Sequence, residues 1–171
     1  MPNASRAFVD QACYHITTRG NQKQNVFKEE EDYKRYLGQL KKALRKYSIN
    51  LYAYCLMRNH VHLLIEPEHG RDISRFMHWI NRAYTAYFNE KYSTVGHLWQ
   101  GRFRSKPILK DRYLINCAGY IEENPIRAGL ANNITDYRWS SYTARCLSSV
   151  NNLIDDIIVE DTKAGATAAL A

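Results

Sequence analysis

The chain has 171 residues, enough for one domain with a real core, and 45% of them are hydrophobic. No apolar run reaches the length of a membrane span, and no apolar stretch follows residues 1–6, so no membrane and no secretion are expected. Cys13, Cys55, Cys117 and Cys146 are widely spaced with no Cys-x-x-Cys pair, which reads as free, largely buried thiols of a cytoplasmic protein. The formal charge of +7 is uneven: Asp155, Asp156, Glu160 and Asp161 against Lys163 give residues 148–171 a net −3, which leaves the body at +10. A body this basic takes a polyanion as its natural partner, and 13 tyrosines with 3 tryptophans suit stacking on unpaired bases.

Along the chain, residues 1–11 read as a loose arm. Residues 13–19 alternate Tyr14, Ile16 and Thr18 with His15, Thr17 and Arg19, a first strand. A polar turn over 20–25 follows, in which Gly20 frees the backbone and Arg19, Asn21 and Lys23 are placed to meet phosphate. Residues 29–47 carry Tyr33, Tyr36, Leu37, Leu40, Leu44 and Tyr47 at helical spacing, with acids at the start and bases at the end, as the helix dipole favours. Residues 49–57 form a second strand with Leu51, Ala53, Cys55 and Met57 on one face. The tight turn Arg58-Asn59 returns the chain into a third strand, His60-Val61-His62-Leu63-Leu64-Ile65.

Asp72 caps a helix running to about residue 91, with Arg71, Arg75, Asn81 and Arg82 off its apolar face. Residues 98–108 read as one strand that projects Arg102, Arg104 and Lys106 to the same side, a phosphate track. Asp111 caps a third helix that stops before Pro125, with Leu114, Cys117, Ala118 and Ile121 buried and Tyr113, Tyr120 and Asn124 off that stripe. Gly119 costs this helix about 1 kcal/mol relative to alanine, which points to a close approach beside Tyr120. Past Leu147 the chain turns small and acidic, with one short element expected over 152–159 and a disordered Ala-rich end. The order β-α-β-β-α-β-α predicts an α+β fold, a ferredoxin-like or RRM-like antiparallel sheet with helices packed on one face. We divide it into a domain over 1–147 and an acidic tail over 148–171.

The chemistry centres on His60 and His62. On a strand the side-chain period is two, so both imidazoles share a face, roughly 6.5–7 Å apart at the backbone, while Val61, Leu63 and Ile65 face the core. Tyr120 and Asn124, four residues apart on a helix, also share a face. Asn124 offers a carbonyl oxygen as a third ligand. Two imidazoles and an amide add no negative charge and leave positions open for a phosphate oxygen on Mg²⁺ or Mn²⁺. A phenol titrates near pH 10, so it is a poor nucleophile until a base, the metal or nearby cations favour phenolate. Two other classes stay open on residues alone. One is a zinc hydrolase using His60, His62 and Glu66 or Glu123 with a bound water, and the other is a non-catalytic RNA-binding module.

Four stretches in register resemble the single-tyrosine, HUH-type transposases, and within them the REP-associated tyrosine transposases of bacteria. They are Met57-Arg58-Asn59-His60-Val61-His62-Leu63-Leu64, Leu98-Trp99-Gln100-Gly101-Arg102-Phe103-Arg104-Ser105, the run from Tyr120 through Asn124-Pro125 to Leu130, and Tyr137-Arg138-Trp139-Ser140-Ser141-Tyr142. The resemblance implies that His60 and His62 are the paired metal ligands, Tyr120 the nucleophile and Asn124 the third ligand. It implies a single-stranded DNA substrate carrying a REP-like hairpin and a guide tetranucleotide, cleaved through a 5′-phosphotyrosine link and rejoined. A domesticated hairpin binder that no longer mobilises DNA is the alternative. Arg19, Asn21, Arg58, Asn59, Arg102, Arg104, Lys106 and Arg127 are the expected DNA contacts, with Trp139 and Tyr142 as stacking surfaces. The expected setting is the nucleoid, and the expected assembly a monomer or homodimer.

Overall fold

In the computed structural model, which describes residues 7–147 and 153–158, the elements follow the expected order. Strand β1 is Cys13–Arg19, helix α1 Glu30–Lys46, β2 Ile49–Met57, β3 His60–Pro67, α2 Asp72–Tyr92, β4 Arg104–Ile108 and α3 Arg112–Glu122; the short helices α4, Asn124–Arg127, and α5, Tyr142–Cys146, follow. The four strands form one antiparallel sheet in the order β2-β3-β1-β4, the ferredoxin-like arrangement expected. Helices α1 and α2 cover one face over Tyr14, Ile16, Leu56, Val61, Leu63 and Ile65. The opposite face carries a smaller core of Tyr52, Ala53, Cys55, Leu64 and the α3 residues Leu114, Ala118 and Ile121, so α3 crosses the sheet on the far side from the two long helices.

Three local readings are corrected. Leu51 does not share a face with Ala53, Cys55 and Met57. The register slips between Leu51 and Ala53, and Tyr52 is the extra residue of a bulge, so Leu51 joins the core under α1 and α2 while the others face α3. The strand expected over 98–108 is only five residues long. Gly101, at φ 63°, turns the backbone ahead of it, and Gln100 N donates to Arg19 O, so 98–103 is a loop lying across the end of β1. The loose arm is docked from residue 7 onward: Phe8 packs edge-on against Tyr14, Gln11 N donates to Pro67 O, and the Asp10 carboxylate accepts from Gly70 N. Residues 1–6 lie outside the described residues.

Helix termini follow local chemistry. Glu29 and Asp32 form a reciprocal capping box at the start of α1, and the Asp111 side chain accepts from Tyr113 N at the start of α3. Helix α2 begins at Asp72 itself, with Arg71 in the cap position. Gly20 has an ordinary φ of −61°, and what it supplies is space: a Cβ there would lie 2.5 Å from Gln24 O. Cys13 and Cys55 are buried free thiols, whereas Cys117 is half-buried and Cys146 exposed.

The outer edge of β2 is sealed by later parts of the chain. Leu56 N donates to Trp139 O, Ser141 N to Tyr54 O, and Tyr54 N to Ser141 Oγ. Asp155 N donates to Leu51 O while its carboxylate accepts from Leu51 N. Of the short element expected over 152–159, residues 153–158 are described and run along this edge without helix or strand of their own, whereas 152, 159 and the Ala-rich end lie outside the described residues.

Candidate active site

Register builds the site. Residues paired across antiparallel strands project to the same face. One row across the sheet is therefore Cys55, His62, Thr17 and Arg104. The next is Ala53, Leu64, His15 and Lys106, and on the other side lie Met57, His60 and Arg19. All three rows face α3, so the histidine pair of β3 is joined by a third imidazole from β1 and by cations from β1 and β4.

The hydrogen bonds around the two β3 histidines engage Nδ1 of each and leave Nε2 of each free of the protein among the described residues. His62 Nδ1 lies 2.9 Å from His15 Nε2 and 3.3 Å from Thr17 Oγ1. His60 Nδ1 donates to Asn59 Oδ1 at 2.6 Å, and the Asn59 amide nitrogen in turn donates to Lys23 O. His60 Nδ1 carries its proton toward Asn59, so its Nε2 keeps a bare lone pair, and with His62 Nδ1 engaged by His15 and Thr17 the Nε2 of His62 is the ring nitrogen left for a ligand. His62 Nε2 is buried and has no hydrogen-bond partner among the described residues. Burial and then Arg19 press the His60 pKa down to about 4. Burial, His60, His15 and Arg19 press that of His62 down to about 3. His15 is also lowered, by burial and then by Lys106. The two β3 imidazoles, each with Nε2 uncommitted to the described residues, are of the chemistry that a divalent ion takes.

Helix α3 brings the phenol. The Tyr120 ring is 46% exposed, stands edge-on to His15 with centroids 6.3 Å apart, and lies under the Arg127 guanidinium at 5.1 Å. Asn124 Nδ2 donates to Tyr120 O at 2.9 Å and Ile121 O at 3.1 Å, so the carbonyl oxygen is the end of its amide left for a ligand. Two residues past Tyr120, the fully buried Glu122 accepts from Ser141 Oγ at 2.6 Å and from the Arg145 guanidinium, fastening the end of α3 to α5 and to β2. The close approach expected at Gly119 is not made by any described residue, because a Cβ there would meet none of them within 4 Å. Among the described residues no group of three or more His, Cys, Asp or Glu is placed to hold a metal. Both carboxylates weighed for a zinc hydrolase are engaged elsewhere: Glu66 accepts from Tyr52 Oη and pairs with Lys110 at 2.6 Å, and Glu123 pairs with Arg127.

Comparison with known proteins bears on this arrangement. The family model described as "Transposase IS200 like" matches residues 8–124. The chain belongs to the IS200-like transposase family. Another protein, from Haemophilus influenzae and described as a REP-associated tyrosine transposase, is 28% identical over 113 residues, which takes in 60% of this chain and 64% of that relative's length. The chain thus spans less than two thirds of that relative. A solved REP-associated tyrosine transposase bound to a REP hairpin matches 99% of this chain and 100% of its own with a TM-score of 0.71 at 19% identity, a likeness of fold.

In this member of the IS200-like family, the expected DNA contacts fall into separate groups. Arg19, Arg104 and Lys106 flank the imidazoles through the sheet register, and Arg127 sits at Tyr120. Arg102 lies in the 98–103 loop rather than beside Arg104 on a strand. Asn21 opens a short 3₁₀ turn, its N–H donating to Leu98 O. Asn59 has both ends of its amide bonded within the protein. Arg58 and Trp139 line a separate shallow cavity of about 410 Å³ beside α1. One face of Trp139 stacks on Tyr33 at 4.5 Å, with Arg138 over the ring at 4.7 Å, and Tyr142 is half-buried at the start of α5. Sequence reasoning passed over His15, Thr17 and Gln100. The signal for the first two was the alternation on β1, which places them with Arg19.

Proposed function

We propose that this protein is a metal-dependent, single-strand DNA endonuclease and strand-transfer enzyme that recognises REP-like hairpins and cleaves through a tyrosine ester. The observation that carries the reading is the buried, unpartnered His62 Nε2 beside His60, both with Nδ1 tied, on the same face as the exposed Tyr120 phenol. Family membership and the hairpin bound by the related structure support the choice of substrate.

His60 and His62, through Nε2, and the Asn124 carbonyl would hold Mg²⁺ or Mn²⁺. Such an ion supplies Lewis-acid polarisation of the scissile phosphate. The rest is done by the chain. Arg19, Arg104 and Lys106 attract and align the DNA backbone along the β1 and β4 side of the imidazoles. Tyr120 Oη attacks phosphorus and the 3′-oxygen leaves, which gives a 5′-phosphotyrosine and a free 3′-hydroxyl; reversal by a second 3′-hydroxyl rejoins strands. His15 fixes the His62 ring, and Asn59 fixes His60, so that neither ligand must be ordered during the reaction. The Glu122–Arg145 pair sets the end of α3 and hence the reach of Tyr120. This chemistry needs no nucleotide cofactor, because the bond energy is conserved in the ester.

The test is a 3′-labelled single strand carrying a REP-type hairpin and its upstream tetranucleotide, incubated with Mn²⁺ or Mg²⁺ and run on a denaturing gel. A labelled protein adduct that is lost in Tyr120→Phe, in His60→Ala and with chelator is the expected result. Hairpin binding without an adduct would make the protein a domesticated binder. Cleavage that survives Tyr120→Phe would make water the nucleophile and overturn the mechanism.

A further inference from the structure

Away from the imidazoles, a cavity of about 590 Å³ opens between α2 and the 98–103 loop. On the helix side it is lined by His78, Asn81, Arg82 and Ala86, which lie on one face at three- and four-residue spacing. On the loop side stand Trp99 and Arg102, with the indole fixed in the wall by Nε1 donating to Asn81 O at 3.2 Å. The interior is mostly apolar, yet the Asn81 side-chain oxygen is buried there with no hydrogen-bond partner among the described residues. An apolar cleft with one unspent acceptor calls for a flat, apolar ligand that carries an N–H on its edge.

Position says which ligand. Arg102 also lines a second, smaller cavity of about 250 Å³, whose other walls are Thr17, Arg19, Gln100 and Arg104. Thr17 lies within hydrogen-bond distance of His62, and Arg19 is the register partner of His60. A cationic path therefore leads from the imidazoles through the arginine basin and past Arg102 into the α2 cavity, with Arg82 at its far side. A polyanion follows such a path, and a duplex is far too wide to enter. We infer that the α2 cavity receives one unstacked nucleobase of the single strand bound at the imidazoles, with Asn81 accepting from the base edge and Arg82 and Arg102 on the flanking phosphates. Every base offers an edge N–H to such an acceptor, the exocyclic amino group of adenine, cytosine and guanine or the ring imino group of thymine and guanine, so the pocket holds a base without excluding any one of the four. The inference rests on the single-strand DNA reading above and adds a base-binding site on α2, a helix that reading leaves without a role.

Binding of a REP-type hairpin with its single-stranded flank, measured by fluorescence anisotropy in EDTA, tests it. Each flank position is made abasic in turn and titrated against the wild type, Ala86→Trp, which fills the cavity from its exposed rim, and Asn81→Ala, with thermal unfolding run on all three. At one position, loss of the base weakens wild-type binding roughly tenfold, the usual worth of a held base. Ala86→Trp binds the intact DNA about tenfold more weakly, and removing that same base costs it less than twofold. Asn81→Ala also binds the intact DNA more weakly, and removing that same base costs it less than it costs the wild type. Intact affinity and an abasic profile the same in all three proteins would overturn the pocket while leaving the DNA reading standing. Failure of the wild type to bind any hairpin or flank would overturn both.

Discussion

His15 touches neither of the bonds that the proposed reaction makes or breaks, yet it decides which nitrogen of His62 is free. By engaging His62 Nδ1 it leaves Nε2 as the nitrogen without a protein partner among the described residues and holds the ring plane. His15→Ala should weaken Mn²⁺ binding roughly 10- to 100-fold, the usual cost of losing a partner behind a metal-bound histidine. His15→Gln, which restores an acceptor, should recover part of it. Calorimetric titration checks this, and equal affinity in wild type and His15→Ala would remove His15 from the site. Gly119 supports a second expectation. Its missing Cβ costs α3 stability, and no described residue comes within 4 Å of where that Cβ would stand, which leaves the space open to the strand of the proposed reaction. Gly119→Ala should stabilise the protein by about 1 kcal/mol and lower adduct formation at least tenfold. A variant that is both more stable and equally active refutes this. The histidine pair was legible in sequence because strand period is local. His15 was not, because its meaning comes from a diagonal neighbour on the adjacent strand, 47 residues away.

At the scale of elements, α1 and α2 are held together by one buried carboxylate. Asp32 accepts from the backbone of Lys28 and Glu29, from Tyr87 and Tyr92, and from Lys91 at 3.0 Å. Burial alone would raise its pKa, but the hydrogen bonds from Tyr92, Lys28, Lys91 and Glu29 outweigh it and bring the group down to about 2. The folded value lies below the unfolded one, so this stabilisation is full above about pH 4 and is lost as pH falls toward 2. Asp32→Asn should lose about 2–3 kcal/mol at neutral pH and show a flatter fall in stability between pH 5 and 2 than the wild type. Urea unfolding at several pH values measures it, and parallel curves would contradict it. Helix spacing and strand alternation announced these elements, but two boundaries escaped. The bulge at Tyr52 and the turn at Gly101 are set by pairing across the sheet and by φ, and neither leaves a period in the sequence.

For the whole molecule, charge and topology act together. The sheet order carries Arg19, Arg104 and Lys106 to the rows beside the imidazoles, and the 98–103 loop adds Arg102. If these four meet phosphate, the logarithm of the single-strand association constant should fall with the logarithm of salt concentration at a slope of about −3. Arg104→Ala should flatten that slope by about 0.7 without changing sequence preference. A slope unchanged in Arg104→Ala would take that residue off the phosphate path. The element order foretold the sheet. The placing of α3 on the opposite face was not foretold, since an amphipathic helix does not declare which side of a sheet it will cover.

The sealed edge of β2 has a consequence of its own. Leu51, Tyr54 and Leu56 spend their outward main-chain groups on Trp139, Ser141 and Asp155. Without those residues, β2 would offer a row of unpaired amides and carbonyls on a long, hydrophobic strand, a template for another chain to extend. A chain cut after residue 136 keeps all four strands and the histidine pair, yet it should self-associate through strand addition and scatter light at concentrations where the full chain stays dispersed. The C-terminal segment is thus a built-in terminator of sheet growth.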